Sequence, residues 1–433
     1  MKITLGKDLI ECLSWSLYAN PIVLFREAIQ NSIDSFGTTS SEYSKIKIDA
    51  HLNVKDRSIS ITDNGPALGE TEFIKNLTSL GESSKKGKAQ AGCRGIGRLS
   101  GLGICDFITF ESKQKDSKTA NICVINAKEI RDALGKPDGN DSKSIAEFLE
   151  PFFLFTKKES TLQNSYFKVT YQNVRHTPAD FLLNPNSVSK YISSVIPVPI
   201  AESFPFKAEV ERFYKEYKLP NDVKVSINEG NFVERGICSK SSKIKKTPSL
   251  QFECFDLKSP TNGEVLGATW FIHHDYLGAL EDSPFRGLRF RHKNLLIGNE
   301  DTFSHLYKEP RFNRWTVAEV HPLSERIRPS VKRDDFETSD YFSSLCSQLR
   351  PHLFKVAQLA RKSSATRVLS KTETKEKELK PFRVKLKATL NKKIPATLSK
   401  KRILRIADDI YCLGKGKIDI KAISNVFLKK GKD

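Results

Sequence analysis

Apolar residues recur at helical spacing through Ile22, Phe25, Ile29, Ile33 and Phe36. That period predicts an amphipathic helix over residues 21–36, packed on a sheet. Asn20-Pro21 separates it from another helix expected over residues 7–19. The pattern then changes to alternation. Residues 45–52 and 57–62 read as two strands of a hairpin around a turn at 53–56. A short helix is expected over 71–80, then a small, polar, basic loop over 81–92, then a helix over 99–104 leaving a glycine turn. Strands over 106–112, 121–125 and 166–174 complete an α/β sandwich, with helices on one face of a mostly antiparallel sheet.

Pro178, Pro185, Pro197, Pro199 and Pro205 mark a helical connector followed by a break. Beyond it a second α/β domain is expected, opening with a strand over 223–227. Further strands are expected over 250–256, 267–274 and 315–320, with a hairpin over 288–291 and 294–297. An amphipathic helix follows over 340–360, and a second helical unit is expected over 399–428. The expected division is 1–205, 206–345 and a basic helical C-terminal region, 346–433.

Composition narrows the class. The chain has 433 residues, of which 38% are hydrophobic, enough to bury real cores. No run of 18 apolar residues exists and the N-terminus lacks a signal-peptide core, so no membrane partner is expected. The eight cysteines form no Cys-x-x-Cys pair and the eight histidines show no ligand spacing. A zinc site or disulfide framework is therefore disfavoured, and a cytoplasmic setting is expected. The charge is uneven: residues 361–433 hold 22 Lys/Arg against 7 Asp/Glu, a net +15 of the chain's +20. Such a region favours polyanions, and nucleic acid is the expected partner. The plainer alternative is a solvated tail that aids solubility.

Candidate chemistry begins on the first helix. Glu27, Asn31 and Asp34 fall at i, i+4 and i+7, on one helical face. A carboxylate, an amide and a second carboxylate can activate a water and hold magnesium beside phosphates. Taken alone, the stripe is an ordinary polar face. Two further blocks follow: Asp63-Asn64-Gly65-Pro66 at a strand end, and Gly92-Cys93-Arg94-Gly95-Ile96-Gly97-Arg98-Leu99-Ser100-Gly101-Leu102-Gly103. Alone, the first is common turn chemistry and the second a weak glycine signal.

In this order and spacing the three blocks resemble the GHKL ATPase superfamily, which includes gyrase, the heat-shock chaperone, histidine kinases and MutL. The resemblance covers roughly residues 1–345 and implies a Bergerat-type ATP-binding domain, then a transducer domain. It implies that Glu27 positions the attacking water and that Asn31 binds magnesium. Arg26 and Asp34 match the heat-shock chaperone pattern around them. Asp63 would accept from the adenine amino group, with Gly65 permitting close approach and Leu68 also near the nucleotide. Gly92, Gly95, Ile96, Gly97 and Arg98 would cradle the phosphates, and Lys85 would reach them from a lid. Two departures stand out. Ala67 replaces the second glycine of Asp-x-Gly-x-Gly, and Tyr166-Phe167 stand where Gly-Thr is expected.

Ile327-Arg328-Pro329-Ser330-Val331-Lys332-Arg333-Asp334 resembles the middle-domain loop of the heat-shock chaperone, which sends an arginine to the γ-phosphate. Arg333 is the match and Lys332 the runner-up. The resemblance implies a slow ATPase using ATP and magnesium, and a homodimer formed through the N-terminal domain. The expected function is an ATP-gated clamp or switch on nucleic acid, within a prokaryotic defence-type system of several proteins. Two alternatives are a chaperone-like protein remodeller, and an ATP-binding regulatory or sensor subunit acting through a partner protein.

Overall fold

Strands β1 (Lys47–Asn53) and β2 (Ser58–Asp63) form the expected hairpin, with Leu52 opposite Ile59 and Ala50 opposite Ile61. Ile48, Ala50 and Leu52 face the core from one strand, and Ile59, Ile61 and Asp63 from the other. Period-2 alternation therefore puts one carboxylate, Asp63, at the end of an apolar row. The structure is a computed structural model. It describes residues 20–37, 43–79, 97–135, 144–236, 250–280, 284–390, 405 and 407–409. The helices expected over 7–19 and 399–428 lie wholly or largely outside the described residues, as does the basic loop over 81–92.

The hairpin lies in a seven-stranded sheet ordered β5-β4-β3-β6-β2-β1-β7. The other members are β3 (Phe107–Lys113), β4 (Thr119–Asn126), β5 (Phe153–Glu159), β6 (Tyr166–Gln172) and β7 (Lys224–Ile227). All neighbours run antiparallel except β1 and β7. Helix α1 (Val23–Ser35) covers the sheet, and α2 (Glu70–Thr78), α3 (Ala127–Leu134) and α5 (Pro185–Val195) share its core. A short α4 (Ile145–Leu149) precedes β5.

Three readings change. Residues 99–104 form no α-helix: a 3-10 turn at Gly97–Leu99 runs on as turns. Glycines at 97, 101 and 103 disfavour a helix. At Gly101 a Cβ would stand 2.6 Å from the Tyr171 ring, so the backbone lies against that ring. The strand expected to open the second domain, β7, instead extends the first sheet. Its partner β1 lies far away in sequence, and alternation does not name partners. Finally, the helix expected over 340–360 continues as α7 (Asp340–Leu390), through a stretch rich in Lys, Glu and Leu.

A five-stranded sheet, β11-β10-β12-β9-β8, follows. Its strands are β8 (Gln251–Lys258), β9 (Val265–His273), β10 (Gly287–His292), β11 (Leu295–Leu296) and β12 (Val317–Pro322). β10 and β12 are parallel and the other pairs antiparallel. Helix α6 (Lys207–Glu216) packs Val210, Phe213 and Tyr214 against Trp270 and Phe285. The sheet also buries charge. Glu319 accepts from Arg235 Nη1 at 2.8 Å, from Tyr214 Oη at 2.8 Å, and lies 3.2 Å from His321 Nε2. Burial opposes ionisation there, but Arg235 and Arg291 hold the Glu319 carboxyl well below the usual carboxylate range.

By chain contacts, residues 1–358 form one compact unit and 359–433 another. Both sheets belong to the first. In the second, Leu379 and Ala407 are buried and Arg383 pairs with Asp408 and Glu376. Among the described residues, no helix is long and apolar enough to cross a membrane.

Candidate functional site

Helix α1 is not a simple two-faced helix. Arg26, Glu27, Gln30, Ser32 and Asp34 are buried along with its apolar residues, while Asn31 is exposed. Buried polar groups demand partners. Arg26 supplies one: its Nε and Nη2 donate to Glu27 Oε1 at 3.2 and 3.1 Å. The other carboxylate oxygen, Oε2, faces the glycine turn. A Cβ on Gly97 would stand 2.5 Å from it, so a side chain there would displace the Glu27 carboxylate. The structure thus brings together two predicted site residues 70 positions apart.

Asp63 ends β2 beneath the same helix. Ser32 Oγ donates to its Oδ2 at 2.6 Å and the Gly65 N–H to its Oδ1 at 2.9 Å. Burial raises the carboxyl above its ordinary range, opposed by hydrogen bonds from Ser32, Gly65 and the Phe167 backbone. Gly65 is required by geometry, since a Cβ there would lie 2.7 Å from Asp63 Oδ1 and 3.0 Å from Ser35 Oγ. Phe167, in the place expected for Gly-Thr, stands opposite Asp63 on β6 and contacts it through its backbone. Its ring packs with Phe73 and Phe110.

The loop after Asp63 shows what replacing the second glycine by Ala67 costs. Ala67 takes φ +59, in the left-handed region. Its neighbour Leu68 is fixed at both backbone groups by Ser112 Oγ, at 2.7 and 3.1 Å. Alanine there costs ~1–2 kcal/mol, and glycine would lose ~0.5–1 kcal/mol of that gain to chain entropy. Ala67→Gly is therefore expected to stabilise the protein by about 0.5–1 kcal/mol, read as a raised denaturation midpoint. An unchanged or lowered midpoint would contradict the strain.

The second sheet delivers the remaining part. Residues 328–337 form a tight loop: Pro329 bridges Phe336, the Ser330 N–H donates to the Asp335 carbonyl at 2.8 Å, and the Glu337 N–H to that of Arg328 at 2.8 Å. At its tip Lys332 is exposed and Arg333 half-buried, with Arg333 at φ +55. Arg26 Nη2 donates to the Lys332 carbonyl at 3.2 Å. One buried guanidinium on α1 therefore holds both Glu27 and the backbone of the 328–337 loop.

Asp34 lies within electrostatic reach of Tyr43, whose hydroxyl is pushed up by burial and by that carboxylate. Tyr191 on α5 was not foreseen from sequence. Burial pushes its hydroxyl up to about 12, with Arg26 and Glu27 close enough to act on it. Ser32 was missed too, because a serine on a helix carries no signal of the aspartate it will meet. Lys85, Gly92, Gly95 and Ile96 lie outside the described residues, as does the Arg98 side chain. Among the described residues, no three or more of His, Cys, Asp and Glu are grouped to hold a metal ion.

Residues 22–143 match the model of a family described as histidine kinase-, DNA gyrase B-, and HSP90-like ATPase. This stretch has the GHKL type. Among curated proteins, the chaperone protein HtpG of Acinetobacter baylyi is 30% identical over 129 residues, 25% of this chain and 20% of the relative. HtpG of a Polaromonas species is 30% identical over 129 residues, 25% of this chain and 21% of the relative. HtpG of Chlorobium phaeobacteroides is 28% identical over 137 residues, covering 26% and 22%. The chain spans about a fifth of the length of the curated relatives it matches. The GHKL match contains Glu27, Asn31, Asp34, Asp63, Gly65, Leu68, Lys85, Gly92, Gly95, Ile96, Gly97 and Arg98, and excludes the loop at 328–337.

Proposed function

We propose that this protein binds ATP and hydrolyses it slowly, and that the bound nucleotide gates a homodimeric clamp paired through its N-terminal region. The observation that carries this reading is the Arg26 bridge, which ties Glu27, seated against Gly97, to the loop bearing Lys332 and Arg333. Phosphoryl transfer needs an oriented water and neutralised phosphate charge, which this set of groups can supply. In this reading Glu27 orients the water and Arg333 meets the charge developing on the γ-phosphate, with Lys332 as the alternative cation. Asp63, already bonded to Ser32 and Gly65, accepts from the adenine amino group. Gly92, Gly95, Ile96, Gly97, Arg98 and Lys85 hold the phosphates, beside Leu68. Magnesium, when bound, would draw on Asn31 and the phosphates and neutralise phosphate charge; Asp34 supports α1 from its buried face.

The client proposed is nucleic acid, engaged through residues 361–433, in a cytoplasmic system of several proteins of defence type. The net +15 of that region supports this. Deleting residues 361–433 is expected to weaken binding of double-stranded DNA at least tenfold at low salt and to flatten its salt dependence. Equal binding by both chains at every salt concentration would remove nucleic acid as the client. A second reading, a protein remodeller, draws on the similarity to HtpG, which is named as a chaperone protein. That similarity covers only a quarter of the chain, so it bears on the nucleotide-binding part more than on the client. ATPase turnover measured with double-stranded DNA, RNA or unfolded protein separates the readings, because only the true client should change the rate.

A further inference from the structure

Two features of the second sheet have no role in the site as described so far. The first is Arg291 on β10, fully buried and bonded to main chain on two sides. Its Nη1 donates to the Ser194 carbonyl at 2.9 Å and its Nη2 to those of Val195 at 3.2 Å and Ile196 at 3.4 Å. These carbonyls close the C-terminus of α5, where helix carbonyls lack partners and the dipole favours a cation. On its other side Arg291 Nε and Nη2 donate to the Asn294 carbonyl at 3.1 and 2.8 Å, and Nε to Asn294 Oδ1 at 2.8 Å. Neighbouring Arg289 adds a bond from Nη1 to Ser194 Oγ at 2.8 Å.

The second feature is Gly298, just past β11. Its N–H donates to the Arg333 carbonyl at 2.8 Å. It takes φ +67, and a Cβ there would collide with Thr302 and lie 2.7 Å from the Asp334 carbonyl. Between the two features, Lys293 and Asn294 make a tight turn with φ +50 and +59. Leu295 and Leu296 of β11 are buried in the core of the first sheet, with Val188 and Ile192 of α5. The hairpin is thus bolted to α5 at its turn and to the 328–337 loop at its end.

We infer that the β10–β11 hairpin is a strut that sets the Arg333 loop against α1, and that Arg291 is its positioning residue. The inference rests on the reading of Arg333 as the phosphate-facing arginine. Arg291 touches no reacting group in this scheme. It fixes the distance between α5, which packs on α1 and carries Tyr191 within reach of Arg26 and Glu27, and the loop whose Lys332 carbonyl accepts from Arg26. Burial together with Lys293 and Arg333 drives His292, in the same hairpin, down to about 3, consistent with Arg333 lying over the strut.

The test is steady-state ATPase kinetics on the full chain. Arg291→Lys removes the planar fork and cannot span the carbonyls of residues 194–196 and Asn294 together. It is expected to lower kcat roughly 10- to 100-fold, since misplacement by about 1 Å costs on that order, with KM for ATP within about twofold. Gly298→Ala pushes the loop from the far end without touching the buried arginines, and should give the same split even where Arg291→Lys fails to fold. Arg291→Lys placed on Arg333→Ala should add little further loss, because both act through one group. A kcat unchanged in Arg291→Lys and Gly298→Ala, while Arg333→Ala is slow, would overturn the strut and leave the site reading intact. Full additivity with Arg333→Ala would also overturn it. Wild-type turnover by Arg333→Ala would instead overturn the reading of the loop.

Discussion

Glu27→Ala is expected to bind ATP with little change in affinity and to lose turnover by about 10²- to 10⁴-fold, the range for a positioned general base. Its Oε2 faces Gly97 at the head of the glycine turn, while its Oε1 is committed to Arg26. The division matters: one oxygen is held and the other is aimed. Alanine also strands a buried guanidinium, and breaking a buried pair costs roughly 3–5 kcal/mol. A lowered denaturation midpoint should therefore accompany the loss. Glu27→Gln separates the two effects, because an amide oxygen can still accept from Arg26 but an amide is not a base. Glutamine keeps the hydrogen bond but not the counter-charge, so it should lower the midpoint less than alanine does and still lose turnover. Nucleotide binding measured beside single-turnover hydrolysis decides it, and hydrolysis by Glu27→Gln at the wild-type rate would remove Glu27 as the base.

Arg333→Ala is expected to lower kcat on the order of 10³-fold, the lower end for an arginine that meets transition-state charge, with only a small change in nucleotide affinity. The asymmetry follows from where the charge appears, since a group that acts only as the transition state forms leaves ground-state binding alone. Lys332→Ala is the paired measurement. The Lys332 carbonyl, not its ammonium, makes the contact with Arg26, and a carbonyl survives the substitution. Lys332→Ala should therefore keep the loop in place and cost less than Arg333→Ala. A larger loss in Lys332→Ala would transfer the role to the lysine.

Much of the first sheet was legible in advance. Alternation is clear on either side of the turn at 53–56, so β1 and β2 lay within two residues of their expected bounds. Elements with weak patterns were not. β5 is a largely exposed edge strand, so selection for an inward face leaves little trace in it. α3 is short and starts with an Asn126 cap whose side chain accepts from the Glu129 N–H, a local signal easily lost beside the preceding strand. The glycine block promised a helix and formed turns, because glycines at 97, 101 and 103 disfavour a helix, and the Tyr171 ring leaves no room for a side chain at Gly101.

The site was legible as residue types, and the pairings were not. Glu27, Asn31 and Asp34 share a helical stripe because helical geometry is local. Their environments are tertiary: Glu27 and Asp34 are buried and Asn31 is exposed. Helix period alone cannot say which polar residue meets the sheet and which meets solvent.

What the chain determined by itself was the set of chemical groups and their local geometry. A carboxylate on a helix, an aspartate at a strand end, a glycine-rich block and a basic loop each follow from short-range pattern, because backbone conformation responds to near neighbours. What only the tertiary structure decided was which groups meet. Ser32 finds Asp63 across 31 positions and Arg26 finds Lys332 across 306. Arg291 reaches the end of α5 from β10. Such contacts are set by strand order and by the closing of two sheets on shared apolar residues. For the Arg291 contact, Leu295 and Leu296 lie in one core with Val188 and Ile192, held by a non-directional force that no local motif records.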